Sequence, residues 1–153
     1  MDSPREAHMN TNQPTEAHLE VDQPRELYME NAELRIKRSL LGLSLNDLAR
    51  LSTVQLRTAA RWESGRYHVP KDVAENINDL WQELIEAVEG MARAADAAHE
   101  KTIRVPLYAN ECAYMDAHGG STFEWRLYTA QVAAAYLLLN ARGYQVEPYY
   151  PQG

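Results

Sequence analysis

Three arginines and one glutamine lie along one short stretch of the sequence, "STVQLRTAARWESGRYHVP", residues 52–70. An arginine can form two hydrogen bonds with guanine O6 and N7, and a glutamine can do the same with adenine N6 and N7. An isolated run of basic residues is more often the solvated face of a helix. The stretch therefore indicates base-edge chemistry only if its surroundings support it.

The charge of the chain is unevenly distributed around this stretch. The formal net charge is −7, which by itself disfavours contact with a phosphate backbone. Residues 31–70, however, carry seven basic and three acidic residues, whereas residues 1–30 carry seven acids and two bases. Residues 71–153 carry twelve acids and six bases. A basic segment thus lies between two acidic ones, and this distribution is the feature expected of a nucleic-acid binder.

Two helices are predicted to precede the arginines of the stretch. "NAELRIKRSLLG" offers Asn31 as an N-cap and Gly42 as a stop. The side chains expected to face inward on this helix are Leu34, Leu40 and Leu41. Ser44 and Asp47 have the spacing of a capping box, which predicts the start of the second helix.

The arginines fall on a third predicted helix, from about residue 54 to residue 64, which Gly65 ends. Pro70 then starts a fourth helix, because proline suits a first helical position. That helix has the clearest 3.6-residue period in the chain and is expected to extend to about His99. Its apolar face consists of Val73, Ile77, Leu80, Trp81, Leu84, Ile85, Val88 and Met91.

The last third of the chain mixes strand and helix patterns. "KTIRVPLY" and "YQVEPYY" predict short strands, and residues 109–118 allow a short helix. Ser121 and Glu124 form a second capping-box pair, which opens a helix that Gly143 ends. This part of the chain therefore reads as a small α+β region.

The final helix is apolar on two sides, so it needs two partners. One is expected to be the fourth helix of the same chain, and the other a second copy. The residues predicted to form the dimer interface are Phe123, Trp125, Leu127, Tyr128, Val132, Tyr136 and Leu139. The alternative is a helix buried entirely within a monomer.

Other kinds of chemistry are not indicated. The single cysteine, Cys112, excludes an intramolecular disulfide and a multi-cysteine zinc site, and His99 and His118 lack metal-ligand spacing with it. Phosphate-loop, H-E-x-x-H and G-x-S-x-G patterns are absent from the sequence, so we predict no enzyme, no cofactor and no metal. Without a secretory signal or a membrane-spanning apolar run, we expect a cytoplasmic protein with no membrane contact.

The first thirty residues contain a short repeat. "SPREAHM", "QPTEAHL" and "QPRELYM" begin at residues 3, 13 and 23. Ten residues are too few for a repeat that buries its own apolar face. We expect residues 1–28 to be a disordered or weakly helical tail, with an interaction arm as the alternative.

The segment from Leu34 to Pro70 resembles the Cro/C1-type helix-turn-helix domain of phage and bacterial repressors. The likeness is carried by "LLGLSLNDLARLS", by the "RWESG" that follows, and by Pro70. It implies a mainly α fold, with a five-helix helix-turn-helix domain over residues 29–100 and a dimerisation region over residues 101–153. The sequence departs from the family in the turn, where Thr53 stands in place of the usual glycine.

The resemblance also implies roles for individual residues. In such domains the third helix enters the major groove with its N-terminal half, which gives as base-reading residues Gln55, Leu56, Arg57, Ala60 and Arg61. The implied phosphate contacts are Ser44, Arg66, His68 and Lys71. Glu63 is poorly placed for DNA because it is acidic, and the likeness implies that it pairs with Arg38.

A second likeness lies near the C-terminus. "STFEWRLYTAQVAAAYL" is similar to a signature of small phage and bacterial regulators, among them the anti-CRISPR-associated regulators. It implies a homodimeric repressor that binds an inverted repeat in double-stranded DNA and regulates its own operon. An antitoxin or a protein-interaction adaptor on the same fold is the alternative. RNA binding is a third, for which the sequence offers no aromatic stacking platform.

Overall fold

The computed structural model describes residues 27–151, so all but two residues of the predicted tail lie outside the described part. Six helices and two strands follow one another along these residues. The helices are α1 (Asn31–Leu40), α2 (Leu45–Ser52), α3 (Leu56–Glu63), α4 (Lys71–Ala97), α5 (Glu111–His118) and α6 (Thr122–Ala141). The strands are β1 (Thr102–Pro106) and β2 (Gln145–Tyr149).

The first three helices pack around a small apolar core. Leu34 of α1 and Leu48 of α2 are fully buried, and Ala59 and Trp62 of α3 join the same cluster. The predicted capping box forms at the start of α2, where the Ser44 backbone N–H donates to Asp47 Oδ2 at 2.7 Å. The predicted second helix is therefore confirmed together with the signal that starts it.

Three details of this region differ from the prediction. The N-cap of α1 is Glu30, one residue before Asn31. Leu40 is exposed, because it lies about 100° around the helix from Leu41 and so leaves the stripe that faces the core. The five-helix count is not confirmed, since α4 runs unbroken for 27 residues and the described residues up to 100 hold four helices.

The turn between α2 and α3 is closed by a left-handed residue. Thr53 has φ 56° and ψ 47°, the conformation that a glycine adopts at no steric cost. The α2–α3 turn therefore closes without a glycine, and the strain is carried by a β-branched residue. Helix α3 then begins at Leu56, two residues later than predicted.

An ion pair fixes the end of α3 to α1. Arg38 Nη2 donates to Glu63 Oε1 at 2.9 Å, and Arg38 Nε donates to the other carboxylate oxygen. Arg38 Nη1 also donates to the Leu43 carbonyl at 2.7 Å. The side chains are only 15% and 9% exposed, and the hydrogen bond with Glu63 raises the pKa of Arg38 further above its ordinary value.

Helix α4 connects these helices to the C-terminal elements. Its inner face includes Ile77, Leu84 and Val88, and α6 packs along it. The two predicted strands form a parallel pair, with Ile103 opposite Val146, and α5 and α6 make the crossover between them. One apolar cluster extends from Met29 to Val146, so the core is continuous across the described chain.

Replacing Thr53 with glycine should stabilise the fold. A β-branched residue in the left-handed region costs about 1–3 kcal/mol, and the entropy that glycine loses on folding offsets only about 0.5–1 kcal/mol of that gain. Thermal unfolding followed by circular dichroism should show a Tm higher by a few degrees. Thr58→Gly, inside α3, is the matched control and should lower the Tm. A lower Tm for Thr53→Gly would contradict the strained turn.

Removing the carboxylate of Glu63 should destabilise the fold strongly. Glu63→Ala leaves the Arg38 guanidinium buried without its partner, for which about 3–5 kcal/mol is expected in urea unfolding. Glu33→Ala is the control, because Glu33 pairs with Lys37 at the surface and its loss should cost less than about 1 kcal/mol. Equal losses in the two variants would show that the buried pair does not hold α3.

Candidate nucleic-acid interface

The exposed N-terminal end of α3 presents a polar cluster. Gln55 is the N-cap, with extended backbone at φ −76° and ψ 154°, and Arg57 lies in the first turn. Both side chains are exposed, and Arg57 Nε donates to Gln55 Oε1 at 3.3 Å. Leu56 beside them is 46% exposed. This end of the helix therefore projects two hydrogen-bonding side chains and one apolar side chain away from the core.

The second turn of α3 continues the same face. Ala60 and Arg61 are half-buried, and Arg61 lies four residues after Arg57, which places the two arginines on one side of the helix. Arg61 Nη1 donates to the Tyr67 hydroxyl at 3.4 Å, and its guanidinium carbon lies 5.5 Å from the ring centroid. Stacking on a tyrosine orients a guanidinium.

Two positioning residues were not predicted from the sequence. Tyr67 orients Arg61. The one sequence signal for this role is an aromatic residue that closely follows an arginine-rich helix. Asn31 Nδ2 donates to the carbonyl oxygens of Trp62 and Tyr67, where an N-cap role was predicted. Asn31 thus ties the start of α1 to the C-terminal end of α3.

The predicted phosphate-contacting residues lie in different settings. The Ser44 hydroxyl is used by the capping box, since it accepts from Asp47 N at 3.1 Å and donates to Asp47 Oδ2 at 2.9 Å. Arg66 and His68 are exposed in the segment between α3 and α4, and Lys71 is exposed at the first position of α4.

The three acidic residues of the basic segment are all paired. Glu33 lies 2.8 Å from Lys37, Glu63 pairs with Arg38, and the third acid, Asp47, pairs with Arg126 of α6. Arg57, Arg66 and Lys71 meanwhile remain exposed. Two of these pairs also use a base of the same segment, but Asp47 is paired by Arg126 from outside it, so the surface around α3 carries one positive charge more than the count for residues 31–70. Such a surface favours an anionic partner.

Most of the predicted interface side chains on α6 face the protein's own core. Val132 is 3% exposed and Leu139 is fully buried, so neither is accessible to a second copy in this fold. Trp125 Nε1 donates to the Tyr108 carbonyl at 3.2 Å, and the Tyr128 hydroxyl donates to the Pro106 carbonyl. The reason is that α4 and β2 pack against α6, while the Pro106 and Tyr108 carbonyls hold these two aromatic side chains.

The remaining three predicted interface residues are less buried than Val132 and Leu139. Phe123 and Leu127 are half-buried and pack against the core, whereas Tyr136 is exposed. Burial raises the pKa of Tyr128 to about 12, which keeps its hydroxyl protonated as a donor at neutral pH.

A different apolar surface is open on the other side of α6. A groove of about 390 Å³ lies between the end of α1, α4 and α6. Its walls include Leu40, Trp81, Ile85, Ala134, Leu137 and Leu138. Leu137 is 69% exposed and Leu40 is 56% exposed. An exposed apolar surface of this kind marks an interaction site.

Metal and membrane chemistry find no support in residues 27–151. No three histidine, cysteine, aspartate or glutamate side chains in that range are grouped as metal ligands. None of the helices described there is long and apolar enough to cross a bilayer. Cys112 is exposed as a free thiol.

No curated protein matches the sequence. Residues 29–144 match the model of the Aca2/YdiL-like family, and the matched range includes α1 to α6. This family is one of regulators, not of enzymes. The chain therefore belongs to the Aca2/YdiL-like family of anti-CRISPR-associated regulators.

Proposed function

We propose that this protein is a sequence-specific transcriptional repressor that binds an inverted repeat as a homodimer and regulates its own operon. The observation that carries the proposal is the exposed end of α3. Arg57 and Arg61 share one face there, the helix is anchored from behind by the Arg38–Glu63 pair, and the acids of the surrounding segment are neutralised. Membership of a regulator family supports the same role.

Base reading is assigned to the first two turns of α3. In the major groove, Arg57 would hydrogen-bond guanine O6 and N7, and Gln55 would bond adenine from the helix end. Leu56 offers an apolar contact to a thymine methyl group. The small side chain of Ala60 lets the helix approach the bases, and Arg61, stacked on Tyr67, contacts the next base step or phosphate.

Phosphate contacts would surround this helix. Arg66 and Lys71 provide exposed charge after α3, and the exposed His68 ring offers a hydrogen bond beside them. The start of α2 contributes through its backbone N–H groups and helix dipole, while the Ser44 hydroxyl holds the cap. These contacts fix the register of the protein on DNA but do not read sequence.

A second copy of the chain is assigned to the groove between α1, α4 and α6. A single helix-turn-helix module buries too little DNA for useful specificity, so two half-sites must be read together. Leu137 and Leu138 project from α6 into solvent beside Leu40. A twofold contact between copies would remove these leucines from water. Tyr136 remains from the predicted interface as an exposed contact residue.

The second candidate function is an antitoxin or protein-interaction adaptor on the same fold. The observation that favours it is the same groove, since an apolar helix of another protein would also fill it. A co-purifying partner together with no DNA affinity would favour this candidate. A neighbouring toxin-sized reading frame would strengthen it.

Arginine variants should separate base reading from phosphate contact. On the DNA upstream of its own reading frame, Arg57→Ala should lose about 1–3 kcal/mol of binding free energy and relax preference at one base pair. Arg66→Ala should weaken binding to all sequences alike and reduce the salt slope by about 1. Arg93→Ala, on the exposed face of α4 beside Glu86, is the control and should bind as wild type. The absence of any gel shift by the wild-type protein at low salt would refute the DNA-binding proposal.

A charge in the groove should dissociate the dimer. Leu137→Glu buries a carboxylate at the proposed contact, so sedimentation should show a monomer where the wild type is a dimer. Tyr150→Glu changes an exposed aromatic residue outside the groove, 61% exposed against 69% for Leu137, and should remain a dimer. A dimeric Leu137→Glu variant would place the interface elsewhere.

A further inference from the structure

Helix α6 crosses the turn between α1 and α2 at very close range. Gly42 in this turn has φ +77°, and a Cβ atom there would lie 3.0 Å from the Arg126 carbonyl oxygen and 3.3 Å from Ala130 Cβ. The turn or α6 would have to shift by a few tenths of an ångström to accept that atom. The turn and α6 are therefore closely packed, and the positive φ of Gly42 adds to the preference for glycine there.

An ion pair fixes the same crossing through side chains. Arg126 Nη1 donates to Asp47 Oδ2 at 2.5 Å, and Asp47 is only 5% exposed. Among the described residues it is the most deeply buried charged residue. The same oxygen accepts hydrogen bonds from the backbone N–H and hydroxyl of Ser44. Arg126 therefore donates to the same carboxylate oxygen that forms the capping box of α2.

This crossing links the proposed reading surface to the proposed dimer surface. Helix α2 is joined to α3 by the short turn at Thr53, and α3 is tied to α1 by Glu63, so the three helices move together. Eleven residues after Arg126, or roughly 16 Å along α6, Leu137 lies in the groove assigned to the second copy. The position of α3 relative to the partner's α3 therefore depends on the angle at this crossing, together with the wall that Leu40 of α1 gives the groove.

The half-site separation that the dimer accepts is sensitive to the angle between the α1–α2 turn and α6. A tilt of about 10° displaces a point roughly 20 Å away by about 3.5 Å, close to the rise of about 3.4 Å per base pair. A dimer reads two half-sites at a separation fixed by its own geometry. A dimer in which this crossing is loose would bind several half-site separations, whereas a dimer in which it is fixed would bind one.

We propose that Arg126 is a positioning residue, which sets the half-site spacing that the dimer accepts by locking α2 to α6 through Asp47. The inference rests on the proposed function and adds the determinant of its spacing. Arg126 does not need to touch DNA in this role. Its loss should therefore change the choice between spacings more than the affinity for one half-site.

The test uses the full chain and the inverted repeat that the wild-type protein retains from the DNA upstream of its own reading frame. Companion duplexes change the half-site separation by one or two base pairs, and another holds a single half-site. Fluorescence anisotropy gives a Kd for each. The wild type should prefer one spacing by about tenfold or more, and Arg126→Gln should reduce that preference to about threefold or less. Its Kd for the single half-site should change by less than about twofold.

Matched variants distinguish positioning from stability. Arg126→Lys retains the positive charge and should restore most of the spacing preference. Arg142→Gln breaks the other ion pair of α6, with Glu89 at 2.9 Å, and should keep the wild-type preference. If Arg126→Gln does not fold by circular dichroism, Asp47→Asn replaces it, because the asparagine amide oxygen can still accept from the Ser44 N–H but lacks the charge that pairs with Arg126.

Each outcome decides the matter. A folded Arg126→Gln or Asp47→Asn variant that keeps the wild-type spacing preference overturns the inference alone. Equal losses on the single half-site and on every spacing also overturn it, because Arg126 would then act on α3 itself. A wild-type protein that retains no duplex refutes the proposed function, and this inference with it.

Discussion

The bidentate pair between Arg38 and Glu63 is the interaction on which the arrangement of α3 depends. It joins the last turn of α3 to α1, so the opposite end of the helix, with Arg57, is the end left free to contact a ligand. The pair also neutralises Glu63, the acidic residue of this helix, and uses it to hold α3 against α1. The other two acids of the segment are paired as well, and the local surface stays basic in a chain whose net charge is −7.

The continuous core gives α6 two roles at once. Its buried residues Val132, Ala135 and Leu139 close the apolar cluster beside α4 and the strands. Its opposite side carries Leu137 into solvent. Because one rigid helix carries both surfaces, whatever binds the exposed side is mechanically connected to the core on the other. A helix-turn-helix module on a flexible linker would have no such connection.

Local signals explain which parts of the fold could be predicted from the sequence. The capping box at Ser44 and the period of α4 depend on residues a few positions apart, and both predicted their helices. The inward side of α6 could not be predicted, because both of its sides are apolar and only packing against α4 and β2 selects one. The Asp47–Arg126 pair joins residues 79 positions apart, and no spacing rule indicates such a pair. At the candidate site, the likeness supplied the outward residues of α3 but not Asn31 or Tyr67, whose roles arise from tertiary contacts.

The two buried ion pairs are better understood as geometric devices than as sources of stability. Burying charges costs desolvation that the pairing only offsets, so apolar residues of similar volume would often serve stability as well. Two helices in apolar contact can rotate slightly against each other. A bidentate pair, or a carboxylate that also forms a helix cap, restricts the partner arginine to one direction of approach. Glu63 fixes the end of α3 to α1, and Asp47 holds the start of α2 against Arg126 of α6. In series, the two pairs link the helix that carries the exposed arginines to the helix that lines the apolar groove, and the proposed dimer would need that link to keep one half-site spacing.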